Sequence, residues 1–538
     1  MTPNRTTPSH SELETAATAR SAAELLELHD DLCVRRAWPK DPSELRAVET
    51  ALERFATRSD VKRFRRALTN SGVAGAELRH RFYYNQALWL SRRCPGQLAV
   101  DWAELESEDA LLSLLPLLLP KSDSLCLDSG ERSAREWLSS SGPSETSDGT
   151  FLVSLFAQLS GTDEVREHLF EKLDPPLVLS HGDETPSRTT AWHDGSPVVF
   201  GAPPRGRPVM PGTVRDEPLR SRRATPAEGG ELLALAKASM LVRLRDIDAF
   251  AYGNPKDVWL VDWPGGMRFA VFGMVPSRRL LLESCFGHLV LQNGVPVGYG
   301  TLSAAFESVE IAYNIFPVFR GHGASWVMAR LLGVAHHLLG AKTFFVAPYQ
   351  LGQDNLEGIQ SGSWWYYEKL GFRPDATDAR RLRVEERRRI RNEPGYRSSP
   401  KTLRRLADHP MFLDLAGARD DALGRIDLGL IGDASSRVLS GRGTTRPGGL
   451  RLCVREVRAL LGLDSLDDWS PQERRALRDW APLVLALPNV TRWSASNRSR
   501  LADVVRAKGG PHQLDFVRRF DAHARLRGAL LSLGSSEG

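Results

Sequence analysis

The chain has 538 residues, enough for two or three domains that each bury a core. Its 41% hydrophobic and 25% charged residues exclude a collagen-like or wholly disordered chain, and its most apolar run, ALLSLLPLLLP (110–120), is too short and proline-broken to span a membrane. The net charge is +5, yet residues 380–405 alone hold eleven Lys/Arg against three Glu, so this stretch carries +8 and the remainder −3. Only ten of the 71 basic residues are lysine, so arginine clusters arise from composition, and a solvated helix face explains the run better than a nucleic-acid footprint.

Residues 1–20 are polar and read as a disordered tail that lacks the basic-then-apolar order of a signal peptide. From 21 the spacing is helical, as in AAELLELHDDLCVRRAW and FYYNQALWLSRR. From about 121 to 225 Ser, Gly, Pro and Thr dominate, which predicts irregular structure with a few short strands, so 21–225 forms a helical region with a loop-rich second half. The texture changes at 226. GGELLALAKASMLVRLRDIDAFAYG predicts one helix, and VWLVDW-PGG-MRFAVFGM a hairpin. SRRLLLESCF predicts a short helix, and HLVLQ-NG-VPVGYGTLSAAF a second hairpin with Asn293-Gly294 at its turn. VEIAYNIF (309–316) is a strand, followed by a Gly-rich turn, a helix over 324–339 ended by Gly340, the strand KTFFVAPYQ, and the aromatic helix SWWYYEKL before Gly371-Phe372. Residues 377–538 are helical, with breaks near 395–400, 440–449 and 509–511. Five widely spaced cysteines with no Cys-x-x-Cys pair argue for reduced thiols in a cytoplasmic protein, with neither a disulfide framework nor a metal site.

The turn PVFRGHGAS (317–325) sits where a strand ends and a helix begins. Glycines serve any sharp turn. Here they would also let main-chain N–H groups at the positive end of a helix dipole approach a diphosphate. His336 and His337 lie far from that end of the helix and read as structural, and the consecutive Trp364, Trp365, Tyr366 and Tyr367 read mostly as packing.

Arg320-x-x-Gly323-x-Ser325 resembles the Arg/Gln-x-x-Gly-x-Gly/Ala pyrophosphate loop of the GNAT N-acetyltransferase superfamily. SWWYYEKLGFRP (363–374) resembles the same family's Leu-Tyr-Glu-Lys-Leu-Gly-Phe signature. The resemblance covers 226–376 and implies an α/β domain with a mixed sheet of the acyl-CoA N-acyltransferase type, between largely helical N- and C-terminal regions. It implies acetyl-CoA as co-substrate, with the pantetheine arm entering between two splayed parallel strands against the main chain of Tyr313, Asn314 and Ile315. The diphosphate would lie on Arg320, Gly321, His322, Gly323, Ala324, Ser325 and Trp326. It implies direct attack by an amine borne on a small molecule or protein, with Tyr367 protonating the leaving thiolate and Glu310, or more weakly Glu307, as base. The family's Asn seven residues before its tyrosine is here Gln360, and Asp354-Asn355 resembles that element displaced upstream, which implies a coenzyme contact for Asn355. The family's last strand pair is not legible after Pro374. A catalytically silent fold of this type, acting as a scaffold or coenzyme-binding module, is the alternative, and aminoacyl or longer-chain acyl transfer is a variant of the first reading.

Overall fold

The computed structural model describes residues 18–534 except 129–131, 204–207, 209–213, 215–218 and 444; most of the expected tail and part of the expected loop-rich stretch lie outside the described residues. Two compact units are present: one comprises 1–202, 231–251 and 292–296, the other 203–230, 252–291 and 297–538. The second unit thus holds most of residues 226–376 together with the C-terminal helices, while 231–251 and 292–296 fall in the first.

In the first unit, helices surround a small antiparallel sheet of β1 (Leu78–His80), β2 (Leu98–Val100) and β3 (Leu177–Leu179), ordered β1-β3-β2. Local capping explains several starts. Ser21 Oγ accepts the Glu24 N–H ahead of helix Ala22–Ala37, and Asp41 caps Pro42–Glu53 with proline at its first position. The stretch 121–173, expected to be irregular, is helical over Lys121–Asp128, Ala134–Ser141, Asp148–Gln158 and Asp163–Leu173. The serines and threonines that suggested loops stand at N-cap positions instead: Ser133, which forms a reciprocal capping box with Glu136, Ser147 and Thr162. Trp137, Phe156 and Phe170 close the core beneath them. Residues 180–203 are irregular as expected.

The second unit is built on a nine-stranded mixed sheet: β4 (Arg220–Arg223), β5 (Gly253–Trp263), β6 (Met267–Met274), β7 (Ser284–Gln292), β8 (Val295–Ala305), β9 (Ser308–Ile315), β10 (Thr343–Val346), β11 (Arg373–Pro374) and β12 (Met411–Asp414). Its order is β11-β12-β10-β9-β8-β7-β6-β5-β4. Among the described pairings only β9 and β10 run parallel. The Asn293-Gly294 turn has φ of 49° and 83°, the left-handed pair that a tight two-residue hairpin needs. The β8–β9 turn uses Phe306 and Glu307 in the same conformation, φ 57° and 53°, at a cost of about 1–2 kcal/mol each. Packing offsets the strain. Phe306 is fully buried edge-on to Phe520, and the Glu307 carboxylate meets Lys342, Arg419 and Arg527. Glu307 is therefore a structural anchor, not a base.

Two local expectations need correction. SRRLLLESCF is a 3₁₀ turn at Pro276–Arg278 followed by β7, because Leu280 and Leu281 are exposed and only Leu282 reaches the core. GGELLALAKASMLVRLRDIDAFAYG is two helices, Pro226–Leu241 and Asp248–Ala251, broken where Leu244 takes a φ of 51°. After Pro374 come helices Thr377–Asn392 and Pro400–Ala407 and then β12, which the sequence did not reveal and which pairs antiparallel with β11.

Six further helices, from Leu428 to Gly534, bury Trp480, Leu483, Val505 and Phe516 together with Phe345 of β10 and Phe306 of the β8–β9 turn, and so cover one face of the sheet. At their margin Asp521 accepts the Glu307 N–H (3.2 Å), and burial pushes its carboxyl up to about 7. The folded state therefore holds this proton between about pH 4 and 7 where the unfolded chain has released it, so stability falls as pH rises through that window. Asp521→Asn should remove this slope: its stability gain over wild type should be near zero at pH 4 and as much as about 4 kcal/mol at pH 8. Calorimetric melting of both proteins at the two pH values checks it; an equal difference at both would show that folding does not raise the Asp521 pKa.

Candidate functional site

The β9–β10 ladder runs from Thr343 beside Ser308 to Phe345 beside Glu310 and stops, while β9 continues on its other edge, paired with β8, to Ile315 beside Gly298. Residues 311–315 thus have no β10 partner in the described register. The parallel pairing ends at Glu310, and the chain runs on from β9 through Pro317–Phe319 into the Gly-rich loop. Tyr313, Asn314 and Ile315 lie along this stretch, where the Ile315 carbonyl already accepts from Arg320.

The loop holds Gly321 at φ 94° and Gly323 at φ 85°, the latter as the N-cap of helix Ala324–Leu339. A Cβ at Gly321 would meet nothing within 4 Å, so the loop is open on that side. No side chain caps this helix, and Ala324 and Ser325 fall in its first turn, where N–H groups have no intrahelical acceptor. Two expected donors are already engaged: the His322 N–H bonds the Phe319 carbonyl (3.2 Å) and the Trp326 N–H bonds Gly323 (2.9 Å). His322 is therefore not a free main-chain donor. Arg320 is held as a brace, donating to the Ile315 carbonyl (3.2 Å) and Asn314 Oδ1 (3.4 Å) and pairing with Glu357 (2.8 Å).

Asn355 spends its side chain locally. It caps helix Leu356–Ser361 through the Gly358 N–H (3.0 Å) and donates to the Tyr349 carbonyl (3.1 Å), which leaves one N–H and one lone pair for any further contact. Trp364 and Trp365 anchor helix Ser363–Lys369 by donating to the Leu406 carbonyl and Ser398 Oγ. That matches their packing role. His336 donates to the Ala341 carbonyl (2.7 Å) and His337 meets Ser221 (3.2 Å), so both are structural.

Tyr367 is buried edge-on to Phe372 and Tyr366, with centroids 5.6 and 5.3 Å away. Tyr366, which helix geometry alone would turn elsewhere, shares a side-chain hydrogen bond with Tyr313 of β9. Three phenols therefore meet beyond the end of the β9–β10 ladder. Burial pushes all three well above the usual tyrosine range, so they stay protonated, with Tyr313 donating to Tyr366. His288 of β7 joins the same face. Its ring lies over Gly300, the cross-strand partner of Tyr313, where a Cβ would come 2.7 Å from His288 Cε1. Burial lowers its pKa to about 3, and neither ring nitrogen has a hydrogen-bond partner among the described residues. Glycine at 300 was the only available signal for this neighbour.

Glu310 stands three residues from Tyr313, and strand alternation places it on the opposite face. Its carboxyl pKa is raised by burial and by the nearby Glu283 charge, so it is easier to protonate than an ordinary glutamate. The structure thus brings Tyr313, Tyr366, Tyr367 and His288 to one face and leaves Glu310 across the sheet.

No family model matches the chain, and neither a curated protein nor a solved structure does. Among the described residues no helix is long and apolar enough to cross a membrane.

Proposed function

We propose that the second unit carries an acyl-CoA-dependent N-acyltransferase of the GNAT type, transferring acetyl from acetyl-CoA to an amine. The observation that carries this reading is the early end of the β9–β10 ladder directly upstream of an uncapped helix N-terminus with two left-handed glycines. An extended pantetheine arm fits where such a ladder ends as an added strand would, through main-chain hydrogen bonds. A diphosphate fits the helix end that follows. Strand β12, paired with β11 beyond the aromatic helix, adds support, because it supplies a strand after Pro374, where the resemblance calls for one.

In this reading the amine nitrogen attacks the thioester carbonyl carbon, the C–S bond breaks, and the amine's surplus proton leaves through solvent. Tyr367, held protonated, donates a hydrogen bond to the departing sulfur. Tyr313 and Tyr366 fix its surroundings. Glu310, on the opposite face, can take the amine proton only if the acceptor enters from that side. The position of Glu310 is also what favours the second reading, a silent coenzyme-binding module. A thiol-release assay with acetyl-CoA over amines and peptides separates the two. Release that depends on an added amine supports the enzyme, and CoA binding without release for any acceptor leaves only the module.

A further inference from the structure

Helices Leu356–Ser361 and Ser363–Lys369 face helices Thr377–Asn392 and Pro400–Ala407 across a groove of about 830 Å³. Neither the 320–326 loop nor any of the three clustered tyrosines lines it. The groove has two kinds of wall. Leu356, Ile359, Trp365, Ile390 and Leu403 form an apolar floor, on which Leu356 and Ile390 are 62% and 42% exposed. Lys369, Arg391, Arg397 and Arg404 stand around it on different segments, all exposed, and among the described residues none has a carboxylate partner. The anions nearby are spent. Glu368 is buried against Arg383 (2.8 Å) and Arg387 (3.2 Å), and Glu386 accepts from Tyr396 and Ser398. The groove is thus a fixed structure with surplus positive charge above exposed aliphatic side chains.

The geometry points to this groove as a docking site for an acidic, leucine-rich peptide segment of a partner protein. Four cations on separate segments suit carboxylates spaced along a chain better than one compact headgroup. The aliphatic floor suits leucine side chains better than nucleobases, which need flat aromatic faces. Of the two aromatic residues lining the groove, Trp365 is held edge-on to Trp364 and Tyr396 is covered by Arg389 at 4.0 Å. The inference does not depend on coenzyme binding.

The test is fluorescence anisotropy of the full chain with a short fluorescein-labelled peptide of Glu, Asp and Leu at three- and four-residue spacing. The peptide should bind in the micromolar range and weaken as salt rises. Arg391→Glu with Arg404→Glu should weaken it roughly tenfold or more, and Ile390→Asp similarly. Arg388→Glu, an exposed change outside the groove, should not. Each single variant is measured too, so a double variant that fails to fold still leaves a readout. No binding by wild type at about 100 μM, or binding equal in all variants, overturns the proposal. So does tighter binding of an oligouridylate with the same variant pattern, which assigns the groove to nucleic acid, or displacement of the peptide by CoA, which joins the groove to the coenzyme site.

Discussion

Tyr367→Phe should slow acyl transfer by about 10²–10³-fold while leaving CoA affinity and the melting temperature close to wild type. The substitution removes one oxygen and keeps the ring, so its packing on Phe372 survives. A packing hydroxyl contributes only about 1 kcal/mol to stability. Tyr366→Phe is the informative companion. It breaks the bond to Tyr313 and should lower stability by about 1 kcal/mol, with turnover changed only a few-fold. Equal losses of turnover in both variants would mean that the phenol cluster acts as a packing unit and that Tyr367 has no separate task. The rate with the amine acceptor found by thiol release is what decides between them.

Gly323→Asp should weaken CoA binding by about 100-fold or more. Residue 323 has φ 85° and caps the 324–339 helix, so an aspartate there bears left-handed strain of about 1–2 kcal/mol. A carboxylate at a helix N-terminus is otherwise favourable, and the fold should persist. The same carboxylate occupies the anion position and repels a diphosphate. Gly323→Asn has nearly the same shape without the charge and should lose only about tenfold, by hindering close approach of the main chain. Titration calorimetry in which both variants bind CoA like wild type would remove the phosphate role of the loop.

The glycine turns were legible because their chemistry is local. Asn293-Gly294 and Gly321-His322-Gly323 mark places where the chain must turn left-handed, and it does. The β8–β9 turn was not, since Phe306 and Glu307 adopt that conformation only because the C-terminal helices bury one and ion-pair the other. Strand β12 was hidden for a related reason: it is four residues long, and the two helices before it carry the stronger periodic signal. Ser133, Ser147 and Thr162 looked like loop residues until the helices they precede were seen. In the candidate site, the turn was readable from its glycines and Tyr367 entered only through the family resemblance, while the Tyr313–Tyr366 contact was not readable, because it joins a strand and a helix far apart in the chain. Three of the four groove cations, Arg391, Arg397 and Arg404, were visible as part of a basic run. Only the fold shows which of them lack a carboxylate partner and share an apolar floor.

Hydrogen exchange of the full chain with and without saturating CoA tests the coenzyme reading most directly, since it reads the main-chain amides that the reading invokes. Protection should appear in peptides covering 311–315 and 321–326, with residues 387–404 unchanged. Protection absent from 311–326, or confined to 387–404, would contradict a coenzyme seated between β9 and β10.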